Sequence, residues 1–134
     1  MASILKVDAL QGVTAAGSIL VTGEGNSTTT NLQQGLAKAW ASAPGNGTSI
    51  NASLNISSLA DTATGEFDWA FSTNFANAYR SVQLTASGGS NQIGKIANEG
   101  DAPTSSGVNV ETANYAGTSQ DQAFNYLSVN GDLA

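Results

Sequence analysis

The chain has 134 residues, with ten acidic and four basic side chains for a net charge of −6, and it contains neither histidine nor cysteine. These absences exclude disulfides, thiolate nucleophiles, sulfur-ligated metals and the common proton shuttle near neutral pH. Only 10% of residues are charged, Lys6, Lys38, Arg80 and Lys95 are scattered, and no apolar run approaches a membrane span of ~20 residues, so neither a nucleic acid nor a membrane is an expected partner.

Residues 1–31 read as an extended N-terminal docking arm. The apolar segment Ile4-Leu5-Lys6-Val7-Asp8-Ala9-Leu10 and the island Ile19-Leu20-Val21 are separated by the Gly/Ala/Ser-containing stretch Gly12–Ser18, and the polar run Thr22–Asn31 follows. Two apolar patches on a pliable tether suit strand addition to a neighbour, in which main-chain hydrogen bonds carry the affinity. Ile4, Leu5, Val7, Ile19, Leu20 and Val21 are therefore the candidate docking residues. The beginning of the chain lacks a basic start followed by a long apolar block, so synthesis in a cytoplasm without a signal peptide is expected.

Residues 32–134 read as a β-sandwich domain. Leu32, Leu36 and Trp40 have helical spacing, whereas Ala37, Ala39 and Ala41 alternate with Lys38 and Trp40. Gly35 and the Pro44-Gly45-Asn46-Gly47 turn favour a short helical turn followed by a strand. From Ile50 the period is two: Ile50, Ala52, Leu54 and Ile56 share one face. Residues 60–65 then make a turn, and Phe67, Trp69 and Phe71 alternate with Glu66, Asp68 and Ala70. This is the clearest hairpin, and it places Trp69 in the core. Further strands are expected at Tyr79–Ala86 with Val82, Leu84 and Ala86 inward, at Ile93–Ala97, at Val108–Glu111, and at Gln122–Asn130 with Phe124 and Tyr126 inward. Between them lie the Ser87–Asn91 loop and a turn at Pro103–Gly107. Six to eight short antiparallel strands with turns about every ten residues predict an all-β sandwich or jelly roll. Alanine dominates the hydrophobic residues and buries little area per residue, so association with other copies is expected.

Catalysis without histidine or cysteine would fall to a carboxylate pair. Glu66 and Asp68 share a strand face, with Asp61 across the turn; this trio, and Glu99 with Asp101 at a loop tip, are also where calcium would bind. Carboxylates on a strand face more often keep an edge soluble, and no catalytic residue, metal or cofactor is expected. Trp40, Trp69, Tyr79, Tyr115 and Tyr126 are the rings available for stacking on a sugar. Tyr115 in the loop-like Asn114-Tyr115-Ala116-Gly117, with Asn91 in the glycine-rich loop, is the expected surface-recognition group.

Ser3-Ile4-Leu5-Lys6-Val7-Asp8, Ile19–Gly25 and Asn31-Leu32-Gln33-Gln34-Gly35-Leu36-Ala37-Lys38-Ala39-Trp40 resemble small structural proteins of tailed phages that infect cyanobacteria and other aquatic bacteria. Thr64–Phe71 looks like the central strand that follows a Thr-Gly turn in that family, and Gly131-Asp132-Leu133-Ala134 is similar to its ending. The chain departs from the family after Trp40, where Ala41-Ser42-Ala43-Pro44 replaces a bulkier β-forming run. The resemblance implies a β-rich, often trimeric virion protein on the outer surface of the particle. The expected function is that of a trimeric capsid decoration (cement) protein, with the major capsid protein as partner of the arm. The alternative is the receptor-binding tip of a tail fibre, with tail proteins and host surface polysaccharide as partners.

Overall fold

The computed structural model describes residues 6–12, 19–22, 29–88, 92–96 and 104–134, and the chain divides into two compact units, Met1–Leu36 and Ala37–Ala134. In the first unit β1 (Leu20–Thr22) pairs antiparallel with β2 (Thr29–Asn31), with Leu20 opposite Asn31 and Thr22 opposite Thr29. The Leu32 amide donates to the Ile19 carbonyl at 2.9 Å, and a single helical turn, α1 (Leu32–Gly35), follows. The helical spacing that runs on to Trp40 is not used. Glycine at position 35 is a poor helix continuer, and the alanines beyond it bury themselves by alternation.

The second unit is an all-β sandwich. Its strands are β3 (Ala39–Pro44), β4 (Ala52–Leu54), β5 (Ile56–Ala63), β6 (Glu66–Phe71), β7 (Ser81–Ser87), β8 (Gln92–Ile96), β9 (Gly107–Asn114) and β10 (Phe124–Asn130). They form two antiparallel four-stranded sheets, in the orders β4-β3-β10-β7 and β5-β6-β9-β8. Phe67, Trp69 and Phe71 point inward from β6, and Val108 and Val110 from β9. They meet Ala39, Ala41 and Ala43 of β3 and Leu127 and Val129 of β10. Phe75, in the loop after β6, closes one end with its ring edge-on to Phe71, centroids 4.8 Å apart. The Ala41-Ser42-Ala43-Pro44 segment is thus fully buried on one face despite its small residues. β3 contributes only the methyl groups of Ala39, Ala41 and Ala43 to a core whose bulk comes from the aromatic row and from Leu127 and Val129.

Three local expectations are corrected. The strand expected to run through Ile50 to Ile56 is two strands in different sheets. Asn55 takes a left-handed conformation (φ 58°) that asparagine tolerates. Its side-chain oxygen accepts from the Thr73 amide at 2.6 Å and its amide nitrogen donates to the Thr73 carbonyl at 3.0 Å. The chain changes sheet there, so Ala52 and Leu54 are exposed while Ile50 and Ile56 pack on the core. The turn expected over residues 60–65 shrinks to Thr64-Gly65, because β5 continues to Ala63 through a register shift near Thr62. Gly65 sits at φ 74° with the Thr112 carbonyl against its open side, a position where a Cβ would clash.

The third correction concerns β10, where Phe124 and Tyr126 face outward and Asn125, Leu127 and Val129 face inward. Register explains the reversal. Asn125 pairs with Ala43 and Leu127 with Ala41, so the inward row of β10 is the one aligned with the buried alanines. The remaining strands, the half-buried Val82 and Leu84, and Trp69 in the core agree with the sequence reading.

Candidate functional site

Of the six docking candidates, Val7, Leu20 and Val21 are at least half exposed and Ile19 is half-buried. Ile4 and Leu5 lie outside the described residues. Leu10 and Leu36 add two more exposed aliphatic side chains to the same unit. Among the residues from 6 to 36 whose burial is described, no side chain is fully buried. A lone two-stranded ladder is marginal in water, and the described residues of this unit present apolar groups to solvent.

Tyr115 is 73% exposed. Asn114 serves its own turn: its side-chain oxygen accepts from the amides of Ala116 and Thr118, both at 3.0 Å. Its backbone bonds Gly117 and Thr118. The loop therefore presents the Tyr115 ring on a tied turn, while the Asn114 side-chain oxygen is already committed. Asn91 lies outside the described residues.

The carboxylates do not converge. Asp68 accepts from the Asn109 amide at 2.7 Å, and Asp61 registers with Phe67 rather than with Glu66 or Asp68. Asp121 accepts from the Gly65 amide at 2.6 Å. Glu66 faces Glu111 across the β6–β9 pairing. Glu111 is almost fully buried, takes a 2.7 Å hydrogen bond from the Ser119 hydroxyl and pairs with Lys95 at 3.0 Å. The Ser119 hydrogen bond, opposed by burial and aided by Lys95, holds its carboxyl below the usual carboxylate range. A carboxyl held ionised in this way is a structural anchor for the 115–120 loop and the β8 edge, not a proton donor. Among the described residues no three acidic side chains are grouped to hold a metal ion. Glu99 and Asp101 lie outside them.

A cavity of about 690 Å³ opens beside Arg80, lined also by Trp69, Val82, Ile96, Thr104 and Asn109. Its cation is already engaged. The Arg80 guanidinium donates to the carbonyls of Thr104 and Gly107 and lies 5.1 Å and 5.4 Å from the ring centroids of Phe71 and Phe75. Burial lowers its pKa from the usual arginine value. The Nε atom is buried and unbonded, so a ligand in the cavity meets a guanidinium turned toward the backbone.

The feature that sequence reading missed lies on the outside of the sheet β4-β3-β10-β7. Trp40, Leu54, Phe124 and Tyr126 all face solvent there, each about two-fifths to one-half exposed. None of the four strands contains a charged residue, whereas the other sheet carries Asp61, Glu66, Asp68, Lys95 and Glu111. The available signal was the alternative parity of β10, in which Leu127 and Val129 share a face. Comparison with known protein families, with characterised proteins and with solved structures finds no match to this chain.

Proposed function

We propose that this chain is a non-enzymatic structural protein of a phage particle, a homotrimeric decoration (cement) protein held on the outer surface of the head through its N-terminal unit. The observation that carries this reading is the set of exposed apolar side chains Val7, Leu10, Leu20, Val21 and Leu36, gathered in the N-terminal unit. Covering the exposed half of one such side chain contributes about 1 kcal/mol, and a symmetric trimer presents each anchor three times, so modest contacts combine into firm attachment. The resemblance of residues 3–8 and 31–40 to virion proteins supports the same reading.

The test is rebinding of purified chain to particles that lack it. Leu20→Asp with Val21→Asp should abolish binding while leaving the thermal unfolding of the sandwich unchanged. Undiminished binding would reject the N-terminal unit as the anchor. Quantitative mass spectrometry of native virions supplies the second readout: a near-stoichiometric ratio to the shell protein is expected. A low copy number would move the protein to the tail, and absence from the particle would reject both locations.

A further inference from the structure

We infer that the outer face of the sheet β4-β3-β10-β7 is a binding platform for a neutral glycan, with Trp40, Tyr126 and Phe124 as its stacking floor. The inference rests on this face alone and does not depend on the virion reading. The three residues are neighbours on this face, two on β10 and one on β3. Trp40 is opposite Ser128, one outward position from Tyr126 on the neighbouring strand, a diagonal of about 7 Å. Tyr126 and Phe124 follow each other on the same strand face, their rings near-parallel at 25° with centroids 6.4 Å apart. Tyr126 sits between Ser42 and Thr85, Phe124 between Pro44 and Ser87, and Trp40 between Ser128 and Leu54, which extends the apolar face at that end.

Sugars have apolar C–H faces that lie on aromatic rings and hydroxyl rims that need hydrogen-bond partners. A row of rings flanked by serine and threonine hydroxyls offers both, on strands whose backbone is fixed by the sheet. Charge selects the class of sugar. With no ionic group in any of the four strands, a uronate, sialate or sulfate would lose hydration without gaining a counter-charge, and a neutral chain would not. Four strands spaced ~4.8 Å apart, with outward residues every ~6.8 Å, give a flat footprint of roughly 400 Å², long enough for a short run of sugar rings.

The test places the full-length chain on an array of neutral and acidic glycans and measures the bound oligosaccharides by calorimetry. Tryptophan fluorescence runs in parallel, since Trp40 is 40% exposed and Trp69 is buried. Binding to neutral glycans is expected, weakened roughly tenfold by Tyr126→Ala or Trp40→Ala. Thr85→Glu keeps every ring, places a carboxylate beside Tyr126 at an exposed position, and should weaken binding similarly without unfolding the chain. Four results would overturn the inference: no binding across the array, binding to acidic glycans alone, binding indifferent to all three substitutions, or light scattering showing that these substitutions turn an oligomer into monomers. The last would assign the face to a second copy of the chain. Loss of particle binding by the Leu20 and Val21 variants is read in a separate assay, so failure of one reading does not mask the other.

Discussion

Replacing Arg80 by methionine should remove about 3 kcal/mol of stability. The guanidinium donates to the carbonyls of Thr104 and Gly107, two charge-assisted hydrogen bonds that fasten the entry of β9 to the segment before β7, and makes a longer contact of 3.5 Å to the Ala78 carbonyl within its own segment. Bonds of this kind to charged groups contribute about 1.5 kcal/mol each at the lower end of their range. The approach to the Phe71 and Phe75 rings at 5.1 Å and 5.4 Å adds about 0.5–1 kcal/mol, and methionine recovers a similar amount through its own contact with the rings. The net loss of ~3 kcal/mol lowers the melting temperature by about 10 °C in a chain of this size. Urea unfolding followed by the emission of the buried Trp69 measures it, and Arg80→Lys isolates the geometry. A lysine keeps the charge but presents no fork, so it should recover less than half of the loss. A decrease below about 1 kcal/mol in Arg80→Met, or full recovery in Arg80→Lys, would refute the idea that a two-pronged guanidinium holds this corner.

Three further substitutions test other contacts. Gly45→Ala would put a Cβ 1.3 Å from the Gln122 carbonyl oxygen, in a turn whose amide bonds Ala123 at 2.9 Å. Backbone must move to relieve it, and a loss of about 3 kcal/mol or more in thermal unfolding is expected. Asn125 is completely buried between Ala43 and Ala86, and neither of its amide atoms has a hydrogen-bond partner. Asn125→Val removes that desolvation cost with a side chain close in volume and should stabilise the fold by about 1–2 kcal/mol in urea titrations; destabilisation would mean that the amide is bonded in solution. The Glu111 carboxyl has a lowered pKa in the folded state, so its contribution is fully present above the unfolded value of about 4.3 and fades as pH falls through the folded one. Unfolding curves of the wild type and Glu111→Gln should therefore differ by a constant amount above about pH 5.5 and converge in more acidic solution. A difference that persists at low pH would show that the carboxylate charge is not its source.

The sequence makes the β5–β6 hairpin readable because all the bulk lies on one parity, Phe67, Trp69 and Phe71, and the charge on the other, Glu66 and Asp68. In β10 both parities are apolar. Phe124 and Tyr126 compete with Leu127 and Val129, and the choice is made by register with Ala41 and Ala43, more than eighty positions away in the chain. Asn55 is hidden for a different reason: the period of two continues through it, and only its bonds to Thr73 mark the change of sheet. Among the candidate sites, the exposed aliphatic residues of the N-terminal unit are legible from hydrophobicity alone. The aromatic face is not, because Trp40 and Tyr126 come together only when β3 and β10 pair.

The two sheets divide the work of solubility and contact. A sandwich has a fixed gap between its layers, and here Phe67, Trp69 and Phe71 fill it from one side, so the opposite sheet can turn only Ala39, Ala41 and Ala43 inward at β3. Large rings in that second sheet have no interior place and must face outward. Exposed rings in contiguous rows carry an association hazard, and a chain with 10% charged residues has little charge with which to offset it. The charges within the strands are all placed on the aromatic-filled sheet, where Asp61, Asp68 and Lys95 are exposed, Glu66 is partly so and Glu111 is buried. The other sheet is left neutral, as a surface selected only for solubility would not be. Folding does not require that neutrality, because the outward positions Ser81, Gln83 and Thr85 are exposed and would accept a lysine or glutamate at little cost. An uncharged outer face is what the proposed glycan platform requires.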